Sequence, residues 1–274
     1  MSADLETRVR SGAVADAGSR HVAFRCLAGL LCLGLGLTGG HLLVTGWTDP
    51  LDGGVHRMQD LHWGVVEGLL LAVPLGWQLR RPARHAGAMR VAVLAVLAQL
   101  VVAVAALSPD PFGIVLLALV VLALRLHPAR HDVLHPVLRP GRLLVVAVPT
   151  SLALLTFAGA QLAHHYAAAP HDVLEAKTGW LGAGFGAAGL AFTVLAGALL
   201  RSRGATALSA AGLGVLGIGS LLHPDVPSSF GVVGGTLSLL VAVALAGATL
   251  QATSQSAPRV NREPEPPRDE PCPT

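Results

Sequence analysis

Lysine is almost missing from this 274-residue chain: Lys177 stands alone beside eighteen arginines. Charge is scarce altogether, at 13% of residues, where soluble domains carry about 25%. So little charge excludes an ordinary water-facing surface. The arginines are spread over loop after loop and form no clustered stripe, which excludes a nucleic-acid-binding module. Cysteine is equally thin. Cys26 and Cys32 lie six apart on one apolar run and Cys272 near the end, a spacing that cannot bridge along one helix. No Cys-x2-Cys pair exists, so a disulfide framework and a cysteine zinc motif are both excluded. Short alternating segments of the β-barrel kind are also lacking.

What is present is apolar length. Hydrophobic residues make up 53% of the chain, gathered into runs of ~18–23 residues that mark an all-α polytopic membrane protein. The first run, from Ala23, is longer than a signal-peptide core and others follow it, so it is read as a retained span. Eight spans are expected, near 23–45, 58–79, 91–107, 112–126, 143–163, 176–200, a seventh ending at Leu222, and 230–250. Ser108-Pro109-Asp110-Pro111 divides the third from the fourth, because prolines flanking an aspartate do not continue a helix.

The organisation expected is a disordered N-terminus (1–22), a four-helix unit (23–126), a linker (127–142), a second unit (143–250) and a disordered tail (251–274). Nearly all arginines fall in the termini and in the loops after spans two, four and six. The other loops hold acids and histidines, with Arg57 and Lys177 the only cations. Both termini should then be cytoplasmic, in a bacterial plasma membrane. The linker histidines His127, His131 and His135 are read as solvated and headgroup-facing, beside arginines able to meet anionic lipid.

The two units repeat one another. At an offset of 115 residues His56, Asp60, Gly64 and Pro109-Asp110 match His171, Glu175, Gly179 and Pro224-Asp225. Even span numbers per unit make this a parallel 4+4 duplication about an axis along the membrane normal.

The chemistry-bearing residues gather at the outer side. If span two is helical from Val55, then His56, Asp60, Trp63 and Glu67 form one stripe. Glu67 then lies ~16 Å below His56, near mid-membrane, where an ionised group is costly. It is a candidate proton-handling carboxyl, or else a structural acid hydrogen-bonded to Gln99 or Gln161. Its counterpart in the second unit is Gly182. His56, Asp60, His171, Glu175, His223 and Asp225 are candidate ligands for zinc or another transition metal, imidazole plus carboxylate being suitable chemistry. His62, His164, His165 and Trp63 could line a shared pocket. Caps, turns and an aromatic belt of Trp47, Trp63, Trp180 and Tyr166 are the plainer readings of the same residues.

Eight spans in a 4+4 pattern, with His56-Arg57 opening span two, resemble haem A synthase in outline. That resemblance implies haem-ligating histidines in spans two, four, six and eight. Residues 112–126 and 230–250 contain none, so no haem is expected. Each half also resembles the DoxX-like and related actinobacterial four-helix membrane proteins, which implies fold alone. The Ala, Gly, Val, Leu and Arg bias is similarly actinobacterial in style. Three functions stay open: a protein binding a small ligand, lipid or metal ion between the repeats; an intramembrane enzyme on a lipid or isoprenoid substrate, with Glu67 or Asp60 as acid and His56 or His171 as base; and an assembly partner without chemistry.

Overall fold

The computed structural model describes residues 3–48, 55–108, 111–167 and 174–254. Among them there is no strand. Helix α1 runs Ala3–Thr48. Helix α2 begins as α-helix over Val55–Gly64, widens into a π-helical segment over Val65–Ala72 and returns to α-helix over Val73–Arg80. After a 3-10 turn at Pro82–His85 come α3 (Ala86–Ala105), α4 (Pro111–Leu126) and the short α5 (Arg130–Leu134). Then follow α6 (Leu144–Ala167), α7 (Leu174–Leu200), α8 (Arg203–Leu222) and α9 (Gly231–Ser254).

Six of these helices, α1, α3, α6, α7, α8 and α9, are long and apolar enough to cross a membrane. Eight spans are expected from the sequence. The two outside this set are α4, which has only 16 residues, and α2, whose ladder changes to π midway. Helix α1 also departs from expectation, continuing back to Ala3 through the segment expected to be disordered. No proline precedes residue 50 to break it.

Contacts sort the turns into two ends. At one end, here the distal end, Arg57 meets His223, His62 meets Ser228 O and Tyr166 donates to Ala105 O. At the proximal end Arg25 donates to Arg80 O and the Arg139 amide to Leu199 O. The helices therefore alternate up and down. Apolar side chains ring the outside, with Leu30 70%, Val145 80% and Val233 75% exposed. In water such a surface would cost about 25 cal/mol per Å²; in a bilayer it is the natural lipid face.

Helix α7 is the centre of the bundle: 78% of its apolar window is buried, against 22% for α1 and 17% for α9. It packs on α6, α3, α2 and α8. Its glycines 179, 182, 186 and 189 make a groove into which α2 lays Gln59, Trp63, His62 and Leu70 in that order. A Cβ at Gly182 would sit 2.2 Å from Trp63 Nε1. Only glycine leaves room for the indole at this position. A carboxyl there would displace the indole.

The α1–α2 contact is antiparallel and closer still. A Cβ at Gly39 would fall 2.3 Å from Gly68 N, and one at Gly64 2.7 Å from Leu43 Cγ. Such small-residue contacts drive helix pairing where water cannot.

At the proximal end the linker does not lie open as its composition suggests. His127 is only 2% exposed. The ring meets Phe24 edge-on at 5.0 Å. The Ala129 amide donates to Nδ1 at 3.1 Å, so Nε2 carries the proton and donates to Gln78 Oε1 at 3.0 Å. Gln78 in turn donates to His85 O at 2.8 Å. The bonds tie α4 and the linker to the end of α2, so the solvated reading holds for His131 and His135, both exposed, and fails for His127. Burial, opposed by the Asp132 charge, pushes the His127 pKa from 6.5 down to about 4. The unfolded chain thus binds more protons than the native one between those values. Stability should be complete above pH 6.5 and drain away as pH falls toward about 4, by about 2–3 kcal/mol. Thermal unfolding in detergent across this range, with His127→Gln as the comparison, checks it. A wild-type midpoint no more acid-sensitive than the variant's would refute it.

Candidate functional site

The distal half of α2 carries five of the residues singled out from the sequence, His56, Asp60, His62, Trp63 and Glu67, and the fold sends them in different directions. Asp60 and Glu67 face α1. Thr45 Oγ1 donates to Asp60 Oδ2 at 2.7 Å and Thr38 Oγ1 to Glu67 Oε2 at 2.6 Å. Both pairs are seven residues apart on each helix, so they are two rungs of one heptad-spaced seam. Each threonine is followed by a glycine, Gly39 or Gly46, that lets α2 approach. Glu67 is 6% exposed and lies in the π-helical segment, a geometry frequent at functional positions. Its partner is Thr38 rather than the expected Gln99 or Gln161.

Trp63 leaves the expected stripe altogether. Its indole lies against Gly182 of α7 and edge-on to Phe185 at 5.2 Å. His56 Nδ1 is 3.0 Å from Gln59 Oε1.

His62 is buried completely. Its Nε2 donates to Ser228 O at 3.2 Å, while Ser228 Oγ donates to Gln161 Oε1 at 3.1 Å. The ring stacks on Phe157 at 5.9 Å and meets Phe230 edge-on at 5.6 Å. Its Nδ1 has no hydrogen-bond partner and faces Gly186. This residue is therefore a pin between the two halves, not a member of an open pocket. Ser228 holds a positive φ of 68° to present its carbonyl, a conformation uncommon for a non-glycine residue.

The remaining histidines are dispersed. His164 stacks on Trp180 at 5.0 Å and His165 meets Tyr166 edge-on at 5.8 Å. His223 Nε2 accepts from the Arg57 guanidinium at 3.4 Å, and Asp225 is exposed. His171 lies outside the described residues, as does the side chain of Glu175. Among the described residues no group of three His, Cys, Asp or Glu side chains could hold a metal ion.

A cavity of about 390 Å³ does open at the distal end, and sequence reasoning missed it. Its wall comes from α3 (Val96, Gln99, Ala103), the start of α4 (Phe112), Trp63 of α2 and Phe185 of α7. Apart from Gln99 and Ser108, the described residues that line it are apolar. Gln99 is 7% exposed and its Nε2 has no hydrogen-bond partner. A glutamine inside an otherwise aliphatic run was the one available signal. A second apolar groove, about 620 Å³, separates α6 from α9. Neither Asp60 nor Glu67 contributes to either wall.

No family model matches the chain, and neither does any curated protein or solved structure.

Proposed function

We propose that this is an eight-span protein of the bacterial cytoplasmic membrane that binds an apolar, membrane-dissolved ligand in the distal cavity, between two parallel four-helix repeats. The observation that carries the reading is the cavity itself: α2, α3 and α4 build nearly all of its wall, Phe185 of α7 completes it, and the residues that line it are nearly all apolar. Sites for small ligands are typically concave, about 300–1,000 Å³ and mostly apolar with few polar groups.

The duplication has its own support. α2 and α7 are neighbours running in the same direction, as equivalents beside a two-fold axis along the normal would be. The α2–α3 and α6–α7 packings have counterparts in α7–α8 and α1–α2, and the α3–α7 crossing has one in α2–α8. The arginine-rich loops all belong to the proximal end, which makes that end cytoplasmic and the cavity outward-facing. The likeness of each half to DoxX-type proteins agrees with this build.

The enzyme reading would need Glu67 or Asp60 to face a substrate, and both are bonded to α1 instead. Ligand binding therefore ranks first.

The test uses a variant keeping Trp63 as its one tryptophan (Trp47, Trp77 and Trp180 each changed to Phe), in lipid nanodiscs. Titrated 1,2-dibromododecane should quench Trp63 saturably, and Ala103→Phe, which fills the cavity, should remove the saturable component. Quenching that rises linearly and alike in both proteins would mean only partition into bulk lipid, and the reading would fall.

A further inference from the structure

We infer that a groove at the proximal end holds an acyl chain of an anionic phospholipid, with the lipid headgroup beside Arg90. The groove is separate from the distal cavity, and the inference stands whatever that cavity binds.

The groove has a volume of about 320 Å³ and lies between α3, the linker and α7. Val93 and Leu94 of α3, Leu134 and Leu138 of the linker, and Phe192 and Leu199 of α7 are in its wall. Leu134 is 56% exposed and Leu138 62%, so the groove opens sideways and a chain can enter it. The same linker exposes Arg130, His131 and Arg139. Exposed apolar side chains mixed with exposed cations mark a segment lying in the membrane interface. At that depth the apolar body at hand is a lipid chain.

Arg90 is the charged side chain among the residues lining the groove. Its Nε donates to Val133 O at 3.1 Å and its Nη2 to Asp132 O. Both acceptors are neutral carbonyls, which fix the guanidinium without cancelling its charge, and the side chain stays partly exposed. More arginines flank the wall. The Arg139 amide bonds to the carbonyl of Leu199 at 2.7 Å, and the Arg201 guanidinium lies against Gly141. Both of these side chains are exposed. The linker's one acid is Asp132, whose charge reaches Arg90 but whose side chain is 69% exposed. Arg90, Arg139 and Arg201 against Asp132 leave a positive rim. Such a rim suits a headgroup of net negative charge over a zwitterionic one.

Native mass spectrometry of the full chain in detergent tests this, with dioleoylphosphatidylglycerol and dioleoylphosphatidylcholine titrated separately. The first phosphatidylglycerol should bind about fivefold more tightly than the first phosphatidylcholine, the value of one basic residue near a lipid surface. Arg90→Gln should remove that preference. Arg125→Gln makes the same charge change at an exposed residue off the groove and should keep it. Ala196→Phe, which fills the groove, should abolish the tight first binding. Asp132→Asn should strengthen it, a gain that misfolding cannot imitate.

Equal affinity for the two lipids in the parent would overturn the anionic headgroup. Equal losses in Arg125→Gln and Arg90→Gln would spread the effect over the whole basic end and overturn the site. Undiminished binding in Ala196→Phe would overturn the groove as the seat of the chain. Thermal midpoints of the lipid-free variants check folding. Where Arg90→Gln proves unfolded, Asp132→Asn decides, and unchanged affinity there would overturn the headgroup's place beside Arg90.

Discussion

Gly39→Val should separate α1 from α2 and lower the stability of the bundle by about 3 kcal/mol or more. Gly39 and its neighbour Gly40 look alike in the sequence, yet the fold treats them differently. A Cβ at Gly39 would stand 2.3 Å from Gly68 N, 2.7 Å from Gly68 Cα and 2.9 Å from Glu67 C. All three are backbone atoms, so no side chain can rotate aside and the helices themselves must move apart. Both rungs of the seam, Thr38–Glu67 and Thr45–Asp60, lie beside that contact and would be stretched. At Gly40 a Cβ meets nothing within 4 Å, and Gly40→Val should leave the protein close to wild type. The measurement is the thermal midpoint of each variant in detergent, followed by size-exclusion profile. Equal midpoints for the two would show that α1 does not dock where its glycines put it.

His62→Ala is the second large effect, with an expected loss of about 3–4 kcal/mol. Two costs add. Truncating a fully buried ring leaves a cavity, in the range of large-to-small core substitutions. The Ser228 carbonyl, held at a positive φ for this bond, is left without its donor. His62→Phe keeps the stack with Phe157 and the edge contact with Phe230 and should lose about 1–2 kcal/mol, the share of the hydrogen bond. Chemical or thermal denaturation of the three proteins measures both numbers. A stable His62→Ala protein would return this residue to the list of ligand groups. The order expected here, Ala well below Phe, makes it a pin between the halves.

The seam shows how much of the site was legible and how much was not. Thr38-Gly39 and Thr45-Gly46 repeat at seven residues, and so do Asp60 and Glu67. Both periods stand in the sequence, yet they acquire meaning only when α1 and α2 are laid antiparallel with the rungs in register. Without that register Glu67 reads as a lone intramembrane acid looking for a glutamine. The glycines of α7 are similar. Their spacing announces close packing, but not that Gln59, Trp63, His62 and Leu70 will fill the groove. Two of the outer histidines expected to share a pocket, His62 and His164, stand on different aromatic partners, because helix rotation turns one inward and the other out.

Composition and run length by themselves determined the helical class, the membrane setting, the breaks near residues 50, 110 and 226, and the uneven placement of arginine. Those properties follow from transfer free energies and backbone geometry, which act residue by residue along the chain. The pairing of carboxyls with threonines, the burial of His62 and His127, the open cavity and the stranded amide of Gln99 were decided only by tertiary structure. Each depends on how far one helix is rotated and slid against another, and that is set by the sum of contacts across the bundle, which no local stretch contains.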